Sequence, residues 1–132
     1  MKLLTFITAL TLIFSSQSFA KSVVGVSLFC KGNTKESYSH IGIYFSNETR
    51  FQELFFNGDK IEIVFKEYRL NGVDKINLFR FYTDYHGAEL NRKTLKIKND
   101  FVDYNCTVMK SYQEILDNMR IKLQEMLEEN QI

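Results

Sequence analysis

The sequence predicts a mainly β domain, a small antiparallel up-and-down barrel of short strands, followed by one amphipathic C-terminal helix. Three observations carry this expectation. Between residues 22 and 108 the chain divides into short segments rich in β-branched and aromatic residues. Turn pairs such as Asn57-Gly58 and Asn71-Gly72 separate them at even spacing. After Ser111 the apolar period changes from two residues to three and four.

Taken in order, residues 22–29 (Ser-Val-Val-Gly-Val-Ser-Leu-Phe) read as a β-branched strand, and the polar run Lys31 to Ser37 as a loop. Residues 39–46 alternate, with Ile41, Ile43 and Phe45 on one face and His40, Gly42 and Tyr44 on the other. Ser46 to Thr49 turns into a strand over 50–56, and Asn57-Gly58-Asp59 makes a hairpin into Lys60–Tyr68. That strand sets Ile61, Ile63 and Phe65 on one face. Asn71-Gly72 breaks the chain before a strand over 75–82, and a further strand is expected over 84–91. Asn91-Arg92-Lys93-Thr94 turns into a short strand, 94–98, and Asn99-Asp100 turns into the last, 101–108. Eight such strands suit a meander closed on itself; a sandwich is the alternative.

The tail opens with Ser111-Tyr112-Gln113-Glu114, a capping-box pattern in which a hydroxyl caps free amides and a Glu three residues on reaches back. Tyr112, Ile115, Leu116, Met119, Leu123, Met126 and Leu127 then follow helical spacing over about 18 residues. The apolar stripe is expected to cover one wall or end of the β-domain; a partner-binding helix is the sharper reading. Five acidic residues against three basic in 110–132 argue against a membrane-surface helix.

The first twenty residues stand apart. Met1-Lys2 gives a positive start, Leu3 to Phe14 is an apolar run, and the segment ends small and polar at Ser18-Phe19-Ala20. That is the shape of a cleavable secretion signal, with the cut expected between Ala20 and Lys21. The apolar run falls short of the roughly 20 residues a bilayer span needs, so no integral anchor is expected after cleavage. The domain plan is therefore 1–20 signal peptide, 21–109 barrel and 110–130 helix packed on it. The chain has 17 basic and 16 acidic residues, and the signal removes only Lys2, so the mature chain is formally neutral at 16 against 16. A neutral surface argues against a nucleic-acid partner.

The mature chain holds only Cys30 and Cys106. In the oxidising compartment that secretion implies, the periplasm or the exterior, these are expected to form one disulfide. Neither lies in a C-x-x-C pair or beside a His, so a redox-active thiol is not expected.

Little else points to chemistry. The two histidines are His40 and His86; Asp84 and His86 share a strand face and could offer two metal ligands, short of the three or four a site requires. Gly25-Val26-Ser27-Leu28-Phe29 lacks the second Gly of a nucleophile elbow, and no Gly-rich phosphate loop is present. Asn47-Glu48-Thr49 and Asn105-Cys106-Thr107 fit a glycosylation pattern that a bacterial signal makes accidental. No cofactor or catalytic residue is assigned.

The aromatics are more informative. Nine Phe and seven Tyr lie in the mature chain, and several strands are apolar on both faces: Leu54 with Phe55 and Phe56, Val64 with Phe65, Leu78 with Phe79 and Phe81. A surface strand alternates cleanly. Doubly apolar strands imply an outer face covered by something, such as the helix, or an interior cavity, although Phe and Tyr are also ordinary core residues, and that plainer account is favoured.

The layout resembles a set of short, uncharacterised secreted proteins of AT-rich alphaproteobacteria. The shared features are a signal ending Ser16-Gln17-Ser18-Phe19-Ala20, an early Leu28-Phe29-Cys30, Gly42-Ile43-Tyr44-Phe45, Leu90-Asn91-Arg92-Lys93-Thr94-Leu95, a late Cys106 and an acidic helical tail. In such proteins Ile often precedes Asn-Arg-Lys-Thr-Leu, where Leu90 stands here. The abundance of Phe, Ile, Lys, Asn and Tyr and the absence of Pro and Trp fit an AT-rich genome. The resemblance implies a lipocalin-like β-fold and carries no activity or site residues. The functional expectation is a non-enzymatic binding domain of the periplasm or envelope, holding an apolar small molecule or an envelope protein. The alternative is an interaction or inhibitor module acting through loop 31–38 or the C-terminal helix.

Overall fold

A computed structural model describes residues 21–79, 87–99 and 101–129. The expected signal and its cut at Ala20, the Asp84–His86 pair, and the ends of the strands expected over 75–82 and 84–91 fall outside those residues, in whole or in part. Eight antiparallel strands follow one another round a closed barrel, and the first pairs with the last. They are β1 Ser27–Gly32, β2 His40–Phe45, β3 Arg50–Asn57, β4 Lys60–Asn71, β5 Lys75–Phe79, β6 Ala88–Asn91, β7 Lys96–Lys98 and β8 Tyr104–Met109. One helix, α1 Tyr112–Glu129, follows β8. The meander is the expected topology, and closure sets aside the sandwich.

Several strand boundaries moved; β7 starts at Lys96 rather than at residue 94, and β8 spans Tyr104–Met109 rather than 101–108. The first strand begins at Ser27 rather than at residue 22, because Val24 and Gly25 make a turn with Gly25 left-handed at φ +84°. A strand cannot run through that backbone conformation, which glycine tolerates. It then runs on through Lys31 and Gly32, expected to be loop, because Lys31 pairs with His40 and Asn105. β4 reaches Asn71 rather than Tyr68, since Arg69 to Asn71 find partners in β5. The Asn57-Gly58-Asp59 hairpin closes with Asn57 opposite Lys60.

Strand pleating sorts side chains into two cores. Leu28, Ile41, Ile43, Phe45, Phe51, Tyr68, Ile76, Leu78, Leu90, Ile97 and Tyr104 point into the barrel and form its core. Leu54 and Phe56 point out, and Ile115 and Met119 of α1 seal them. The Ser111 half of the capping box is present, Glu114 N donating to Ser111 Oγ (3.2 Å), while the Glu114 carboxylate reaches one residue further back and accepts from Lys110 N (2.8 Å). α1 runs along β2. Tyr112 meets Tyr44 edge to face, and Ile115 rests on Gly42, where a Cβ would overlap its Cγ2. The missing side chain lets helix and strand approach.

Among the described residues, no helix is long and apolar enough to cross a membrane. The Cys30–Cys106 disulfide is present; the two residues face each other across the β1–β8 seam, 76 residues apart.

Candidate functional site

The two ends of the barrel differ. At the end reached by the 46–49 and 72–74 turns, three aromatic rings fill the interior. Phe45 and Tyr68 meet edge to face with centroids 4.9 Å apart, and Phe51 stands 6.1 and 6.5 Å from them. Such pairs add directional attraction to their burial. Tyr68 Oη donates to the Asn47 carbonyl (2.6 Å), and Val23 packs against the same core. Burial, with the Glu48 carboxylate adding to it, pushes the Tyr68 hydroxyl above its usual pKa, so it stays a neutral donor.

The Asn91–Leu95 turn braces this end. Asn91 Oδ1 accepts from Lys93 N and Thr94 N (2.9 and 3.0 Å). Arg92 Nη2 donates to the Lys21 carbonyl (2.6 Å), strapping the segment before β1 to this turn. Leu95 is left-handed at φ 56°; its N–H donates to Asn91 O and its carbonyl accepts from Cys106 N. The most distinctive stretch of the sequence is therefore a structural brace.

The opposite end is hollow. A cavity of about 160 Å³ opens there, walled by Ile41, Ile43, Phe51, Leu78, Ile97 and Tyr104, with Phe79, Gly87, Ala88, Asn99 and Phe101 around its mouth. A second hollow of about 250 Å³ adjoins it across Asn99, Phe101 and Tyr104. Asn99 shapes the rim, because its Oδ1 accepts from Phe101 N and Val102 N (2.8 and 2.6 Å). Tyr104 Oη donates to the Tyr38 carbonyl (2.7 Å), tying the 33–39 loop to the mouth.

On the cavity wall sit Glu53 and Lys66, joined as an ion pair. Glu53 shares the inward phase of β3 with Phe51, and Lys66 that of β4 with Tyr68. Since Glu53 pairs with Val64 and Phe51 with Lys66, the two charges meet on the diagonal of the β3–β4 ladder. Their side chains are only 19 and 18% exposed. A charge pair so placed carries a desolvation penalty that a well-packed apolar pair would avoid.

The sequence offers a cavity as one account of the doubly apolar strands, beside a covered outer face and ordinary core burial, and does not single out this pair. The available signal was a break in phase: Glu53 stands between Phe51 and Phe55 on the inward positions of β3. The doubly apolar strands have two distinct causes. On β3, Leu54 and Phe56 serve α1 while Phe51 and Phe55 serve the interior. On β4 the Ile61, Ile63 and Phe65 face is the outer one; α1 covers Ile61, and Phe65 remains 64% exposed.

His40 lies on the outer face of β2, against the other half of α1. Its ring stacks on Phe29 with centroids 5.6 Å apart, its Nδ1 shares a hydrogen bond with Ser39 Oγ (2.8 Å), and its buried Nε2 has no partner among the described residues. Burial holds its pKa below the ordinary value, helped by Lys122 and Lys31 and opposed by Glu125. No group of three or more potential metal ligands occurs among the described residues.

This geometry defines a class by architecture: a closed eight-stranded antiparallel barrel, plugged at one end and hollow at the other, with a helix laid on its wall. Compared with known proteins, the chain matches no family model, no curated protein and no solved structure.

Proposed function

We propose that this chain is a secreted, non-enzymatic binding protein whose barrel takes an apolar small molecule through its hollow end. The observation that carries the reading is a cavity lined by Ile41, Ile43, Leu78 and Ile97 together with the Glu53–Lys66 pair and Asn99, a wall that offers apolar contact and a few polar groups to a small molecule. Small closed barrels have room inside for one such ligand. The signal pattern of residues 1–20 and the Cys30–Cys106 bridge both support an oxidising destination, the periplasm or the exterior. The helix spends its apolar stripe on the barrel wall, which leaves the cavity as the better supported binding surface.

Native mass spectrometry of protein purified gently from the periplasm tests the reading. The expected result is a discrete mass increment of a small molecule, removable by organic extraction. A bare mass, unchanged after incubation with apolar small molecules, overturns it.

A further inference from the structure

We propose that the cavity selects a compact ring carrying one uncharged polar group, of phenol or carboxamide type, with that group seated between Glu53 and Lys66. The inference rests on the reading of the barrel as a small-molecule binder and adds the ligand's size and charge.

Size comes first. A dry cavity of roughly 150 Å³ lined by aliphatic and aromatic side chains holds one benzene ring. The cavity here, about 160 Å³ and walled by Ile41, Ile43, Leu78 and Ile97, matches that volume. An extended long acyl chain exceeds this cavity and would have to run on into the adjoining hollow across Asn99, Phe101 and Tyr104.

Charge comes second. Glu53 and Lys66 already neutralise one another on the wall. A carboxylate ligand would gain Lys66 only by confronting Glu53, and an ammonium would gain Glu53 only by confronting Lys66. Either leaves a poorly hydrated charge without compensation, which is strongly unfavourable. A plain hydrocarbon avoids that penalty but covers the pair and strips its water without replacing the hydrogen bonds.

Hydrogen-bond capacity comes third. An ammonium has three N–H donors and a carboxylate two accepting oxygens, so the mutual bond leaves both residues with capacity to spare. A hydroxyl or primary carboxamide donates and accepts at once. It can accept from Lys66 Nζ and donate to the Glu53 carboxylate without disturbing the pair's neutrality. A site built to bond such a group also rejects analogues that lack it.

The test uses the disulfide-bonded mature chain at pH 7 and follows amide chemical shifts of the cavity residues by NMR. The probes are phenol, benzamide, toluene, benzoate, benzylammonium and palmitate. Phenol and benzamide are expected to bind at least ten-fold tighter than benzoate, benzylammonium or toluene. Glu53→Gln, which keeps shape and removes the anion, is expected to shift preference at least ten-fold toward benzoate. Lys66→Gln is expected to shift it likewise toward benzylammonium. The same spectra verify folding, and a fold retained by either variant suffices for the charge swap. The proposal is overturned if a charged ring or palmitate binds the unsubstituted protein as tightly as phenol, or if a folded variant keeps the original ranking. Toluene binding as well as phenol removes this inference and leaves the small-molecule reading standing. Silence from every probe, together with a bare native mass, removes both.

Discussion

The barrel interior and the helix-covered wall are built from the same residue types yet packed to different standards. Beneath α1, Ile115 and Met119 are fully buried against Leu54 and Phe56, and a bare Gly42 lets the helix close in. Inside the barrel, the plugged end is as tightly filled, but the other end keeps about 160 Å³ open and places an ion pair on its wall. Protein interiors are ordinarily close-packed, and voids cost stability. A domain of about 110 residues has little stability to give away. One core is filled and the other left partly open, so the tight packing lies in the wall and seam and the open volume at one end of the barrel, where we propose that a ligand binds.

The largest expected effect comes from the seam. Cys30 and Cys106 close a loop across a separation of 76 residues. The chain-entropy account values such a loop at about 4 kcal/mol. Cys30→Ser with Cys106→Ser is expected to lower the urea unfolding free energy by about that amount, with β1 and β8 losing amide-exchange protection first. A loss below about 1 kcal/mol would mean that strand pairing and α1 hold the seam unaided.

The next pair of variants sharpens the comparison directly. Met119→Ala removes a side chain surrounded on all sides and is expected to cost about 3 kcal/mol. Leu78→Ala removes one that already borders open space, so it forfeits fewer contacts and is expected to cost about 2 kcal/mol. It also enlarges the cavity, so bulkier rings should enter. Equal costs, with no change in ligand size, would place the two cores on one footing.

Much of this division was legible in the sequence and part was not. Alternation in Ile41, Ile43 and Phe45, the turn pairs and the capping box are local signals, so strand order, hairpins and the helix could be read directly. The barrel's closure could only be inferred, because the β1–β8 pairing joins residues far apart in the chain. The start of β1 was misplaced because the Val23–Val24 pair promises a strand that the left-handed Gly25 interrupts. The ion pair was missed for a related reason. A Glu on β3 and a Lys on β4 look like ordinary surface charges until the β3–β4 register turns both inward. The Ile61, Ile63 and Phe65 face shows the converse: a strongly apolar stripe that points out.

Gly42→Ala probes the tight core from the side of the strand. Its added methyl overlaps Ile115, so either the helix lifts or β2 shifts. Overpacking of this kind costs about 1–2 kcal/mol. Ile115→Ala, placed in the same chain, is expected to recover part of that loss, because it vacates the space the methyl needs. A double variant whose costs simply add would show that Gly42 is not in contact with the helix, since independent sites add and neighbours do not.

The smallest effect is a pH dependence confined to the wall. His40 is covered by α1, with Lys122 and Glu125 facing it from the helix and Lys31 from β1. Its Nε2 lacks a partner among the described residues, so a proton there is poorly accommodated in the folded state. The folded pKa lies below the unfolded one, and the unfolded chain therefore binds the proton more readily. Stability from this group is fully present above the ordinary histidine value of about 6.5 and is lost as pH falls below it. His40→Asn retains an amide near the Nδ1 position and has nothing to titrate in that window. Urea unfolding measured between pH 7.5 and 5.5 should show the unsubstituted protein weakening toward acid more steeply than the variant, since His86 is common to both chains and carboxylates titrate lower still. Parallel curves would mean that the helix already admits the proton, and that the wall is less tightly sealed at its far end than at Gly42.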